Sequence, residues 1–151
     1  ADTEEQLRAQ LKRLLESQKM TEQEAECIRI RDIRRFVESR LGQRMKKAAM
    51  KKHLYREQPF VIQRSASMLD DGWKNETVLV QGIIDAYFME EEEIVLVDYK
   101  TDRVKRGQEQ KLINLYHVQL EDYARALERM TGKRVKEKII YSFTLQKEIL
   151  L

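Results

Sequence analysis

Residues Val78 to Arg103 read VLVQGIIDAYFMEEEEIVLVDYKTDR, and this stretch decides the fold. Two runs rich in β-branched and aromatic residues, Val78–Phe88 and Ile94–Lys100, flank the acidic Glu90–Glu93. Such runs on either side of a short polar turn predict a β-hairpin. Strand side chains alternate between faces, so Asp98 and Lys100 project from the same side. If the hairpin sets Asp85 opposite Asp98, or one residue off, two carboxylates lie side by side. Their Cβ atoms would be about 5 Å apart, an unfavourable juxtaposition unless something compensates it. A divalent cation such as Mg²⁺ or Mn²⁺ is the natural compensation, because both are bound by carboxylate oxygens. An isolated Asp at a strand end is usually a turn-former, and an isolated Lys is usually solvated. Here Asp85 follows Gly82-Ile83-Ile84 and Asp98 follows Ile94-Val95-Leu96-Val97, so the three are read as a site. Four carboxylates in line at Glu90–Glu93 would coat a surface more readily than cage a metal.

Downstream, Thr101 to Gly107 carries Arg103, Lys105 and Arg106 directly after the candidate site. These are placed to meet phosphates, with a solvated loop as the simpler alternative. Glu109 to Met130 is the longest helical segment, ended by Gly132. Tyr116, Gln119, Tyr123 and Leu127 fall on one face of it at helical spacing. Leu112, Leu120 and Leu127 are expected to pack on the sheet. Gln119 is the odd member, a polar group needing partners if buried. Lys136 to Phe143 alternates and reads as the last core strand.

Upstream, Tyr55 to Arg64 reads as an edge strand, because Pro59 lies near its start. Glu57 has two readings: it orients a water or basic group near a metal, or it pairs with Arg56. Ser65 to Glu76 is a loop with Asp70-Asp71-Gly72 at its tip. Trp73 there is expected to pack on the sheet, with base stacking as the alternative. Residues 1–52 read as helical. Thr3 with Gln6 resembles a capping box ahead of Leu7, Leu11, Leu14 and Leu15, and Thr21 with Glu24 repeats it ahead of Ala25 and Ile28. Asp32 is the expected N-cap of a further helix carrying Ile33, Phe36, Val37 and Leu41, with Gly42 past its end. The basic run Arg44–Lys52 reads as a solvated helix face, the alternative being a phosphate-contacting wall. His53 is not assigned as a metal ligand, since a lone His between helix and strand is more often structural or exposed.

The 151 residues, 36% charged with a net charge of +3, bound a single domain without an overall basic signal for nucleic acid, so any groove for it must be local. We divide it into a helical lead-in, 1–52, and a core, 53–151. One cysteine, Cys27, excludes an internal disulfide and a four-cysteine metal or iron–sulfur site. No apolar run approaches a membrane span and no secretory signal pattern is present, which together suggest a cytoplasmic protein. No G-x-x-x-x-G-K-[ST] is present to bind ATP. The start at Ala1, without Met and in helical sequence, suggests a piece of a longer chain.

Gly82-Ile83-Ile84-Asp85, Asp98-Tyr99-Lys100-Thr101, Gln119 and Tyr123 together resemble the PD-(D/E)XK nuclease signature in its RecB-like form. The Gln-Gly-Ile-Ile-Asp variant with a later Val-Gln-Leu-x-x-Tyr is most similar to the AddA-type helicase–nuclease family. The likeness runs from about Leu41 to Tyr141 and extends more loosely into the helices before it. It implies an α/β fold, a restriction-endonuclease-like mixed sheet in the order α-β-β-β-α-β with an N-terminal helical extension. It implies Mg²⁺, with Mn²⁺ as substitute, on Asp85, Asp98 and the Tyr99 carbonyl, with Lys100 as the catalytic lysine. Gln119 and Tyr123, with Tyr116, Thr101 and Arg103, would hold the DNA strand, and Glu57 sits on the strand similar to the family's first core strand. The expected partners are single-stranded DNA, helicase domains of the same polypeptide and a second subunit, in double-strand break repair. The family's metal-binding His, in a Gly-x-x-x-His context, has no counterpart here. The alternatives are a stand-alone nuclease of the superfamily, or a DNA-binding or scaffolding module with an incomplete site.

Overall fold

The computed structural model describes the backbone of residues 4–16, 22–65 and 77–151, and the side chains of these except 4, 16, 22–29, 64 and 65. Three helices come first: α1 (Glu4–Glu16), α2 (Glu22–Glu38) and α3 (Arg40–Met50). Three strands follow, β1 (Leu54–Ser65), β2 (Thr77–Glu90) and β3 (Glu93–Lys100). Then α4 (Glu109–Thr131), β4 (Val135–Ser142) and β5 (Lys147–Leu150) complete the chain. The strands lie in the order β1-β2-β3-β4-β5, antiparallel throughout except β3 and β4, which run parallel. A parallel pair needs a crossover, and α4 supplies it. Pro59 lies on the edge strand, where a missing N–H donor is tolerated.

Helices cover both faces of the sheet. On one, Leu7, Leu11, Phe36, Leu41 and Met45 from α1–α3 meet Phe88, Val95, Val97, Tyr99 and Tyr141. On the other, Leu112, Leu120 and Leu127 of α4 meet Ile84, Ile94, Leu96 and Ile140. Ile94 to Tyr99 is buried without interruption, as expected of a central strand covered on both sides. The result is a three-layer, mixed α/β fold. The even residues of β3 face α4, which puts Asp98 and Lys100 beneath that helix.

The long hairpin β1–β2 turns over midway. Leu54 packs against α1–α3, while Phe60 and Ile62 pack against α4. Ile84 and Ala86 divide in the same way, although both steps are even in number and a regular strand would keep each pair on one face. The reversal falls at Glu57, whose backbone is left-handed at φ 53°. Register holds on either side, Arg56 with Ala86 and Gln58 with Ile84, but no pair forms between Glu57 and Asp85.

Four expectations need correction. Asp32 does not start a helix; it lies inside α2, buried beside Arg31, Arg35 and Gln146, where burial raises its pKa. The break comes at Ser39, whose hydroxyl accepts from the Gly42 N–H at 3.1 Å and caps α3. Gly42 therefore lies within α3 rather than past a helix end. A Cβ there would stand 2.1 Å from the Phe36 carbonyl oxygen, so only glycine permits so close a junction. Lys136–Phe143 is not the last strand, because β5 follows at the far edge. Its four residues, KEIL, are too short to show a period. Ser65, expected to open a loop, is the last residue of β1; the rest of that expected loop, 66–76 with Trp73, the Thr3 and Thr21 caps, and the side chains of Ala25, Cys27 and Ile28 lie outside the described residues.

Candidate active site

The ladder between β2 and β3 ends at Ala86–Val97. The next step in that register would set Asp85 against Asp98. Instead, the Asp85 side chain takes over the bonding: its Oδ2 accepts the Tyr99 N–H at 2.9 Å. Asp85 thus lies mid-strand rather than at a strand end; the pairing ends there, not the strand. Its carbonyl accepts a 2.8 Å bond from Nε2 of Gln10 on α1.

The two carboxylates are strongly desolvated. Asp98 is 3% exposed and its Oδ2 accepts no hydrogen bond among the described residues. Nζ of Lys100 stands 2.9 Å from that oxygen, a charge contact lacking hydrogen-bond alignment. Burial, and then the charge of Asp98, push the Asp85 carboxyl up to about 7. Among the described residues a single lysine, Lys100, stands against the pair, one positive charge short. Two neighbouring carboxylates, Asp98 buried and Asp85 half-buried, make a donor pair that suits a small divalent cation, which commonly takes one or two carboxylates and keeps several waters. The fit rests on these oxygens alone, because no group of three or more His, Cys, Asp or Glu is gathered among the described residues.

Lys100 is pinned from three sides. Its Nζ donates to Oε1 of Gln119 at 3.1 Å and lies 3.9 Å from the centre of the Tyr116 ring. Tyr116 in turn donates to Asp102 at 2.6 Å, which raises its phenol to about 12. Tyr123 packs edge-on against Phe60, their centroids 5.0 Å apart. Burial, followed by the charges of Asp98 and Asp85, raises its phenol to about 12. Gln119, Tyr123 and Phe60 line a cleft of about 260 Å³ with Gly82 and Val80. At Gly82 a Cβ would stand 2.9 Å from the Phe60 ring, so the glycine keeps that ring against the sheet.

The structure therefore brings together Asp85, Asp98, Tyr99, Lys100, Gln119 and Tyr116, with Tyr123 alongside. Thr101 and Arg103 lie on the following loop, where Arg103, Lys105 and Arg106 are exposed. Glu57 pairs with Arg13 of α1, at 2.5 Å. Arg56 reaches the Gln6 main-chain oxygen and Oε1. The basic run on α3 sits at the other end of the sheet, where Arg44 binds Glu90 and Glu137 while Lys47 and Lys51 border a separate cavity of about 610 Å³. His53 borders the same cavity, remote from the carboxylates. Sequence reading missed Gln10 and Asp102. Gln10 gave a signal, a polar residue in the apolar stripe of Leu7 and Leu11, the same mark that singled out Gln119.

Comparison with known proteins agrees with this geometry. Residues 1–149 match the family model of the PD-(D/E)XK nuclease superfamily. A large ATP-dependent helicase/nuclease polypeptide of Clostridium novyi (strain NT) is 39% identical over 152 residues, covering 97% of this chain and 12% of its own length. The protein of the same name from Thermoanaerobacter sp. (strain X514) is 41% identical over 143 residues, covering 92% of this chain and 11% of its own. That of Alkaliphilus oremlandii is 38% identical over 152 residues, 99% of this chain and 12% of its own. The chain thus spans about an eighth of the length of these relatives. With the mixed sheet, the paired carboxylates and the neighbouring lysine in place, the chain belongs to the PD-(D/E)XK nuclease superfamily.

Proposed function

We propose that the chain is the nuclease module of an AddA-type helicase–nuclease and hydrolyses phosphodiester bonds of single-stranded DNA with a divalent cation. The convergence of Asp85, Asp98 and Lys100 at the end of the β2–β3 ladder carries this reading. Asp85, Asp98 and the Tyr99 carbonyl would hold the cation, Mg²⁺ or Mn²⁺ by the hardness of these oxygens. When bound there, it supplies neutralising charge to the phosphate oxygens and acidifies a coordinated water.

The chain's own groups do the rest. Lys100, fixed by Gln119 and the Tyr116 face, directs a charge-assisted donor at the phosphate and stabilises the negative charge that grows as water adds. Cleavage of the bond between phosphorus and the 3′ oxygen leaves a 5′-phosphate and a 3′-hydroxyl. Tyr123, Gln119 and the cleft beside them position the strand, and Arg103, Lys105 and Arg106 attract its phosphates electrostatically. Helicase domains of the same polypeptide would deliver the strand, beside a second subunit, during recombinational repair of double-strand breaks. That role places the protein in the cytoplasm with the chromosome. Among the described residues, no helix is long and apolar enough to cross a membrane.

The test is incubation of the chain with labelled single-stranded DNA in Mg²⁺, in Mn²⁺ and in chelator, alongside Asp85→Ala and Lys100→Ala. Metal-dependent cutting lost in both variants is the expected result. Binding without cutting, under every metal condition and with upstream sequence restored, would make the chain a DNA-binding module instead.

A further inference from the structure

The break opposite Asp85 creates a problem that helix α1 solves. Because Glu57 is left-handed, β1 offers no ladder partner at Asp85, and the β2–β3 ladder has stopped one residue away. Asp85 itself is thus without a ladder partner on either neighbouring strand, at the position where its carboxylate must be held. Gln10 fills the place with its 2.8 Å bond to the Asp85 carbonyl. One turn along α1, Arg13 holds the carboxylate of Glu57, and one turn back Gln6 receives Arg56. A polar stripe of α1 therefore grips both strands where they turn over.

Gln10 is a poor choice for stability alone. It is only 7% exposed, and its Oε1 has no hydrogen-bond partner among the described residues. A buried acceptor left unsatisfied is costly, and an apolar residue of similar size would avoid that cost. The Nε2 bond to Asp85 is what the amide provides.

We infer that Gln10 is a positioning residue for the active site: through the Asp85 carbonyl it fixes the carboxylate that would bind the metal, making α1 a support of the metal geometry. This rests on the nuclease reading above. Outer supports of metal ligands, when removed, commonly weaken metal affinity or activity by about 10–100-fold.

The experiment compares the parent chain with Gln10→Leu, Gln10→Asn and Asp85→Asn in three readings: thermal melting without metal, Mn²⁺ binding by calorimetry, and kcat and KM on single-stranded DNA at saturating Mn²⁺. Gln10→Leu is expected to melt within a few degrees of the parent, bind Mn²⁺ at least about 10-fold more weakly, and lose kcat while KM for DNA holds. Gln10→Asn, one methylene too short to reach the carbonyl, should follow it. Parent-like Mn²⁺ affinity and kcat in either folded variant would overturn the inference, as would unfolding of both, which would make Gln10 a structural residue. Asp85→Asn separates the two levels: if it binds Mn²⁺ as the parent does, the metal reading itself is wrong and the inference falls with it.

Discussion

The two ends of strand β3 carry the same kinds of charge in opposite balance. At its start, Glu90 is shared by Arg44 and Lys136, Glu137 also binds Arg44, and Lys133 pairs with Glu92. The Arg44 bonds are the main reason the Glu90 carboxyl lies below the usual range. At the other end, Asp85 and Asp98 share a single lysine, and Asp85 is pushed up to about 7 by burial and by its neighbour's charge. One end is charge-satisfied and holds the fold. The other is charge-frustrated, a state that proteins retain where function requires it. The difference separates a structural ion network from the pair of carboxylates to which we assign the cation.

The sharpest way to break that comparison is to remove charge at each end. Asp98→Asn should reduce DNA cutting to background while holding or raising the melting temperature without metal, because it relieves the repulsion. Lys100→Ala should lower kcat on the order of 10²–10³-fold, the scale seen when a donor to developing charge is lost. Arg44→Met should do the reverse of Asp98→Asn. It leaves two carboxylates without their guanidinium, at a cost of about 1.5–3 kcal/mol. For a domain of this size that lowers the melting point by roughly 3–12 °C while kcat holds. A melting series with a cleavage assay on the same samples reads all three.

The pH dependences should also have opposite signs. The lowered Glu90 pKa contributes stability that is present above the ordinary carboxylate value, about 4.3, and fades as pH falls through the lower folded-state value. The raised Asp85 pKa means the fold binds a proton that the unfolded chain has released, so its contribution is lost as pH rises from the ordinary range through about 7. Melting between pH 4.5 and 8 should therefore show a loss of stability in the parent that is reduced in Asp85→Asn. An equal loss in both would place the titrating group elsewhere. The smallest effect is expected of Tyr116→Phe, which removes the bond to Asp102 but keeps the ring beneath Lys100. A change in kcat below about 10-fold fits that placement, since a charged group over an aromatic face is worth only about 0.5–2 kcal/mol and this variant retains the face.

Much of this was legible in sequence because the signals were local. The β-branched and aromatic runs Val78–Phe88 and Ile94–Lys100 on either side of an acidic turn gave the hairpin, and parity alone put Asp98 and Lys100 on one face. Gln119 was visible as a polar intruder in an apolar stripe, and Lys100 is its partner. What stayed hidden depends on distant contacts. Asp32 has the chemistry of an N-cap, but tertiary packing keeps it inside α2. Glu57 gives no sign in sequence that its backbone is left-handed, since that conformation normally favours glycine. Gln10 was passed over because its partner lies 75 residues away, across a break that only the folded sheet creates.

The most direct measurement is a crystal structure of the chain grown or soaked with Mn²⁺, with anomalous diffraction collected at the manganese edge. A peak bridging the carboxylates of Asp85 and Asp98, near the Tyr99 carbonyl, is the predicted result. A peak at the acidic turn Glu90–Glu93 with none between the two aspartates would contradict the distinction between the ends of β3, and with it the assignment of the site.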